Sequence, residues 1–388
     1  MLEKLDTVEW HLLKHARGVA TDVPSWLRQL ASQDADVRAQ ALEELYDRLF
    51  HQESNLYEAT GYAVPFFLEL IESDGVSGKL ALLTFLVGLG ERIHSEIRRE
   101  GLEKVQTYPA WSQRIVEALA AGKPAYLRCL NDDDPKMRDK AGYMLGLLKR
   151  ASLSDSMDGI ADAIWVRLEG ERAEQVQAGL LLAFGTCCEI NEVNRDRLLP
   201  KLTETNSKSV QLAAALALMR LMPENPDPRT VAIVIGAVES ASEYSPLTNS
   251  SWSHGYDYAF GGGLSGLDYL VGAHLLFLSP EPASLVEESL AKMVPGQPLE
   301  KALRIARILL AIAFRERTKT GATFASLTEQ QQRVVRLIAA NDNCWIRDKA
   351  EDIRSVSLPF LCGYGLPDTA AALRAFVREV RIGGQGSG

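Results

Sequence analysis

Three glycines in the stretch 258–266, which reads YAFGGGLSG, have the spacing of a dinucleotide-binding loop. Gly261, Gly263 and Gly266 form G-x-G-x-x-G, which lets a backbone approach a pyrophosphate at the start of a helix. That chemistry requires a buried parallel strand before the loop and another strand after the helix. The preceding segment 249–260, NSSWSHGYDYAF, is too polar for a central strand. The glycines therefore predict a long connection with positive φ angles, without a nucleotide.

Three other patterns resemble metal-binding or catalytic chemistry, and each lacks a required member. His11 and His15 are four residues apart on a predicted helix, which suits chelation, but no third ligand accompanies them. The segment 263–267, GLSGL, ends in leucine where the nucleophile pattern G-x-S-x-G needs glycine. Cys187 and Cys188 have no visible activating partner. We therefore predict that the protein is not an enzyme and holds no metal or cofactor.

The segment 242–266 is a long connection for a helical protein, in which such links usually have about 2–8 residues. It concentrates aromatic and polar side chains among serine and glycine, namely Trp252, His254, Tyr256, Asp257, Tyr258 and Phe260. Aromatic side chains in these surroundings are typical of protein-binding loops. The alternative is a compact loop that packs its own rings onto the neighbouring helices. These six residues are candidate partner contacts, with the packing alternative left open.

The charge balance makes nucleic-acid binding an unfavourable prediction. The 388-residue chain has 51 acidic and 42 basic residues and a net charge of -9. Such a chain is repelled by a phosphate backbone unless its bases gather on one face. Lys301, Arg304 and Arg307 form one possible basic face, which keeps a nucleic-acid-binding alternative open.

Cysteine usage and hydropathy predict a cytoplasmic protein without a membrane segment. The five cysteines include no C-x-x-C pair, which favours thiols in a reducing compartment. The N-terminal stretch lacks the uninterrupted apolar core of a signal peptide. No stretch approaches the length of uncharged apolar sequence that crosses a bilayer.

A recurring helical pattern must position all of these residues. In each copy an apolar residue is followed by a polar one, and a small or apolar residue returns four positions later. In the first four copies another apolar residue returns eight positions later. Copies begin at Val37, Met137, Val176, Val210 and Ile346. The positions i, i+4 and i+8 share one helix face, so this face is expected to pack inward. The polar residue is expected to bond to a neighbouring turn or to face solvent.

The spacing of the copies predicts the fold. They recur after 39 residues between Met137 and Val176 and after 34 between Val176 and Val210, which is typical of a helical repeat array. We expect an all-α solenoid of about 18–20 helices. Helix-capping residues are expected upstream of the copies, at Asp34, Asp134, Asn206 and Asn343. The predicted organisation is a repeat block at 1–241, an inter-helix loop at 242–266, a second helical block at 267–382 and a flexible tail at 383–388.

Five short motifs follow one another within residues 10–72. They are HAxG from His15, DVP from Asp22, HQ at His51 and Gln52, YxAT from Tyr57, and AVPFFL from Ala63. Together with the repeat pattern, they resemble a group of bacterial HEAT-repeat proteins. The resemblance implies a curved superhelix of HEAT-like repeats with an extended binding surface. His51 and Gln52 lie at a predicted helix junction, where they either bond to backbone carbonyls or contact a partner.

The function implied by this resemblance is noncatalytic protein binding. Some members of the group look like immunity or accessory proteins of bacterial conflict systems. The expected partner is then another protein, such as a toxin or a basic effector attracted by the negative charge. The basic face keeps open the alternative of a HEAT-like nucleic-acid-binding protein or a DNA glycosylase-like enzyme.

Overall fold

The computed structural model of the chain describes residues 1–51, 55–100, 110–150, 159–248, 250–253, 266–315, 322–345 and 357–378. Within these residues the protein is all-α, as the helical periodicity predicted. Strand structure there is confined to two short hairpins and an isolated bridge between Ser357 and Thr369. In the same ranges, no helix has the length and apolar character needed to cross a membrane.

The chain divides into two compact units, and the first is Met1–Cys188. Its helices are α1 (Val23–Gln29), α2 (Ala35–Leu49), α3 (Glu58–Glu72), α4 (Lys79–Glu100), α5 (Ala110–Ala121), α6 (Lys123–Cys129), α7 (Pro135–Arg150), α8 (Ile160–Gly170) and α9 (Glu174–Cys187). One antiparallel hairpin pairs β1 (Lys14–His15) with β2 (Gly18–Val19), and a second pairs β3 (Phe50–His51) with β4 (Asn55–Leu56). Both hairpins precede α3 in the chain.

Small residues set the distances between helices in the first unit. Helix α7 packs between α4 and α9, while α3 packs against α5. A Cβ added to Gly142 on α7 would lie 2.9 Å from a methyl group of Leu180 on α9. A Cβ added to Gly61 on α3 would lie 3.1 Å from the backbone nitrogen of Ile115 on α5. These contacts leave little room for larger side chains, since protein interiors are close-packed.

The second unit, Glu189–Gly388, is also helical. Its helices are α10 (Glu192–Leu198), α11 (Lys208–Leu221), α12 (Pro228–Glu239), α13 (Ser245–Thr248), α14 (Gly266–Leu275), α15 (Pro280–Met293), α16 (Leu299–Ala313), α17 (Glu329–Ala340) and α18 (Ala370–Arg378). Helix α11 packs against α12 and α14. Helix α16 contacts α14, α15 and α17, and it is buried along most of its length.

The polar residue of the repeat pattern has the same structural role in four copies. Arg38 donates to the carbonyls of Ser32 and Gln33, at 2.8 Å each. Arg138 donates to the corresponding carbonyls of the turn before α7, at 2.8 and 2.9 Å. Gln177 and Gln211 each bond to the carbonyl six residues before them. The predicted bond to a neighbouring turn is thus confirmed, because each side chain ties its helix to the preceding loop.

The helix caps agree with the sequence at two positions and differ at a third. Asp34 and Asp134 each accept a backbone N–H from the first turn of the following helix. At α11 the cap is Ser207, whose hydroxyl accepts the N–H of Val210 at 3.1 Å, so the prediction of Asn206 is wrong. The serine lies one residue nearer the helix, where its short side chain reaches the third helical N–H. Asn343 precedes residues outside the described ranges.

A buried carboxylate joins three helices of the first unit. Glu171 accepts two hydrogen bonds from Arg138, at 2.7 and 2.9 Å, and another from Arg167 at 2.8 Å. The backbone N–H groups of Arg172 and Ala173 also donate to it, at 2.9 Å each. Burial by itself would raise the pKa of Glu171, but these donors lower it to about 2. The ionised carboxylate therefore stabilises the junction of α7, α8 and α9.

We predict that Glu171→Gln lowers the free energy of unfolding by about 3 kcal/mol at pH 7, because the two guanidinium groups lose a buried counter-charge. Since folding lowers the pKa, the carboxylate's contribution is complete above its ordinary value of 4.5 and is lost as pH falls towards 2. Urea unfolding from pH 7 to pH 3 would measure it. The control is Glu169→Gln on the exposed face of α8. Equal stability of both variants at pH 7 would contradict this role.

Candidate partner-binding groove

Helix α2 has two apolar stripes, of which one is buried and one is accessible. The buried stripe consists of Ala41, Leu45 and Leu49. The second stripe consists of Ala39, Leu42 and Tyr46, which share another face at helical spacing. Ala39 is exposed, whereas Leu42 and Tyr46 are half-buried. Outside its core-facing stripe, a helix of a globular protein usually carries polar residues, which face the solvent. The second apolar stripe of α2 is therefore a candidate contact surface.

This second stripe lines an open groove of about 590 Å³, which we call the α2 groove. Its lining residues are Ala39, Leu42, Glu43, Tyr46, Asp47, Phe50 and Ala81. The walls are mainly apolar, and the groove lies between α2 and the first turn of α4. A volume of this size is within the range of about 300–1,000 Å³ that is typical of ligand pockets.

Packed aromatic rings hold the base of the α2 groove in place. The ring of Tyr46 meets Phe85 edge-on, with centroids 4.7 Å apart. Phe85 stacks on Phe67 at 4.5 Å. Phe50 lies against Gly88, where a Cβ would come within 3.1 Å of the Phe50 ring. Because each ring is fixed by another element, the apolar surface is preformed.

The rim of the groove is acidic. Glu43 is exposed beside the groove, and Asp47 lies one turn further along α2. Arg17 donates to both carboxylate oxygens of Asp47, at 2.6 and 2.9 Å. This pair raises the pKa of Arg17 through the hydrogen bond and the charge of Asp47. It joins the turn between β1 and β2 to α2 at one end of the groove.

A polar network fixes the first hairpin beside α2. The backbone N–H of Arg17 donates to Nδ1 of His15 at 2.9 Å, so Nε2 carries the proton that binds Asp22 at 2.9 Å. Arg48, at the end of α2, donates to the other oxygen of Asp22 at 2.6 Å. Burial opposes ionisation of Asp22, but the hydrogen bonds from Arg48 and His15 leave its pKa below its usual value. Both ring nitrogens of His15 are used in positioning the chain.

The predicted helix carrying His11 and His15 is wrong. Trp10–Leu12 is a short 3-10 helix, and Lys14–His15 is strand β1. The hairpin register pairs His15 with Gly18, so the two histidines do not share a helix face. In the described part of the chain, no group of three or more His, Cys, Asp or Glu side chains is arranged to hold a metal ion.

The motif at the second hairpin is partly described. The backbone of His51 lies in β3, opposite Asn55, while Gln52 lies outside the described residues. After the hairpin, Thr60 donates to the carbonyl of Leu49 at 2.7 Å and accepts the backbone N–H of Tyr57 at 3.2 Å. Residues of the YxAT motif therefore join the start of α3 to the end of α2.

Among its described residues, the connection at 242–266 contributes the rings of Tyr244 and Trp252 to the core. Trp252 is 1% exposed, which assigns it a packing role in place of the partner contact expected from the sequence. The other candidate contacts lie outside the described residues, namely His254, Tyr256, Asp257, Tyr258 and Phe260. Gly266 has the positive φ, 61°, that was predicted before the helix α14.

The predicted basic face interacts mainly with its own unit. Arg304 pairs with Asp268 at 3.2 Å, and both side chains are largely covered. The Arg307 guanidinium lies 4.8 Å from the centre of the Phe360 ring. Burial raises the pKa of Asp268 to about 6, although Arg304 and Arg307 oppose the shift. Lys301 is half-buried, so these three residues offer little free positive surface to a phosphate backbone.

The α2 groove was not predicted from the sequence, although part of its signal is local. Ala39, Leu42 and Tyr46 have the same helical spacing as the buried stripe, and a second stripe of this kind can be found by inspection. The contributions of Phe50 and Ala81 to the groove lining could not be predicted from this spacing, because they depend on how β3 and α4 pack against α2.

No family model matches the chain, and no curated protein matches it. A solved structure of an engineered protein is similar at 14% sequence identity, over 95% of this chain and 100% of that chain. Its TM-score is 0.26, so this likeness carries no argument about fold or function.

We predict that Trp252→Ala lowers the free energy of unfolding by about 3–5 kcal/mol, because it removes a fully buried indole and leaves a cavity. Leu285→Ala is the control, since Leu285 is 63% exposed in the same unit. It should change stability by less than about 1 kcal/mol. Denaturant unfolding monitored by circular dichroism measures both variants. A wild-type midpoint for Trp252→Ala would mean that the ring is not a packing residue.

Proposed function

We propose that this protein is a noncatalytic HEAT-repeat scaffold that binds another protein. Two features support the HEAT-like solenoid in this proposal. The first is the bond from the polar residue to the preceding turn in the four described copies, made by Arg38, Arg138, Gln177 and Gln211. The second is the series of N-terminal motifs, from His15 onwards. Repeat arrays of this kind present extended surfaces that suit protein partners.

The α2 groove is the observation that carries the binding function. It combines accessible apolar residues with a preformed aromatic base, and this combination is typical of sites that anchor a partner side chain. Tyr46 also offers a large contact area at a small cost in side-chain entropy, because neighbouring rings already restrict it. A catalytic function has less support, because the one His–Asp pair beside the groove has both ring nitrogens of His15 engaged.

Within this proposal the protein is a bacterial immunity or accessory factor in the cytoplasm. The N-terminal motifs support the bacterial HEAT-repeat group, and the net charge of -9 suits sequestration of a basic effector. Sequestration requires a stable binding surface and does not require a chemical modification of the partner. The scaffold would act by occupying the effector's functional face.

The test is site-specific photo-crosslinking in bacteria that carry the gene. A benzophenone amino acid replaces Ala39 in the groove or, as the control, Val166, which is 70% exposed on α8 of the same unit. We expect a protein captured at position 39 and not at 166. Once identified by mass spectrometry and purified, it should form a stoichiometric complex by light scattering. Equal capture at both positions, or a purified protein that forms no complex, would refute the proposal.

A further inference from the structure

We infer that the α2 groove binds an amphipathic helical segment whose apolar stripe is flanked by lysine or arginine. This inference rests on the proposed protein-binding function and specifies the chemistry of the partner. The occupant is identified by the length of the groove, the spacing of its apolar residues and the charge of its rim.

The dimensions of the groove suit a helix. Its lining runs along α2 from Ala39 to Phe50, which is about three turns or roughly 16 Å at 1.5 Å per residue. Apolar surface is continuous along this length, since Leu42 and Tyr46 fill the space between the ends. A partner helix presents side chains at i, i+4 and i+7 over about 10.5 Å, which is the distance along α2 from Ala39 to Tyr46. Anchors at this spacing would lie against Ala39, Leu42 and Tyr46 in succession.

The charges select a basic partner. Among the described residues that line the groove, the ionisable carboxylates are Glu43 and Asp47, and none of the lining residues is lysine or arginine. Asp36 is exposed on the same edge of α2, two turns before Glu43. Arg17 already pairs with Asp47, so the positive charge of the partner would face Asp36 and Glu43. Opposite charges beside an apolar contact set orientation and association rate.

The same rim opposes other occupants. A phosphate backbone would place negative charge beside Asp36 and Glu43, which is unfavourable. A second copy of this chain would bring another surface from a protein of net charge -9. An acidic or neutral helix could fill the apolar stripe but would gain nothing from the rim. A basic amphipathic segment satisfies both features at once.

The experiment uses the full chain and three labelled peptides of about 18 residues, long enough for helix formation. One has leucine at i, i+4 and i+7 with lysine between, one is its scrambled isomer, and one has glutamate in place of lysine. Fluorescence anisotropy should show the Leu/Lys peptide binding at least about tenfold more tightly than either of the others. The scrambled isomer has the same charge, so it measures attraction to the acidic surface alone.

Two matched variants locate the site. Ala39→Arg fills the groove with a long cationic side chain, while Gln40→Arg makes the same charge change on the neighbouring exposed position outside the lining. We expect Ala39→Arg to weaken Leu/Lys binding at least about tenfold and Gln40→Arg less than about threefold. Glu43→Gln should reduce the salt dependence of binding. Circular dichroism and urea midpoints verify that each variant is folded.

Equal binding of the scrambled or Leu/Glu peptide would overturn the inference, as would equal effects of the two arginine variants. A benzophenone at position 39 that crosslinks a second copy of the chain would also overturn it. If position 39 captures a partner that forms a complex through a neutral or acidic segment, the proposed function stands and this inference fails. Leu/Lys binding that depends on Ala39, without a captured protein, would support the groove chemistry and leave the scaffold function refuted.

Discussion

The structure depends on hydrogen bonds to the backbone carbonyls of the turns that lead into α2, α7, α9 and α11. These turns are only partly buried, and each hydrogen bond to one of their carbonyls contributes about 0.5–1.5 kcal/mol. Arg38, Arg138, Gln177 and Gln211 supply the missing donors from the first turn of their helices. One side chain per repeat thus fixes both the path of the turn and the direction of the helix.

Arginine and glutamine meet this requirement in different ways. Glutamine offers one donor group to the turn, while arginine has donors left for a carboxylate. In Arg138 the remaining donors bind Glu171, and this carboxylate is shared with Arg167 and with the backbone at the start of α9. The junction is therefore a charged network, whereas Gln177 and Gln211 each make a single hydrogen bond to the turn.

The sequence predicted features that are local and repeated. The 3.6-residue period identified an all-α protein, and Asp34 and Asp134 were recognisable as caps because a cap depends on the next three residues. The cap is Ser207 and not Asn206 because α11 begins at Lys208, and the sequence alone did not fix that starting residue. The hairpin at His15 was missed because its stability comes from Asp22 and distant Arg48, and a periodicity argument does not detect such pairings. The burial of Trp252 was missed for the same reason, because it depends on packing against elements that are distant in the sequence.

The polar groups described for this chain differ from the α2 groove in how far they are already engaged. A general base or nucleophile needs a free lone pair that can approach a substrate. In the described part of the chain, His15 has both nitrogens engaged, Glu171 is surrounded by donors, and Asp268 pairs with Arg304. The surface beside α2 differs in kind, because its apolar residues are held in place but left uncovered. Covering this apolar surface would release free energy that the folded unit does not itself gain, which is the physical basis of the binding function proposed for the α2 groove.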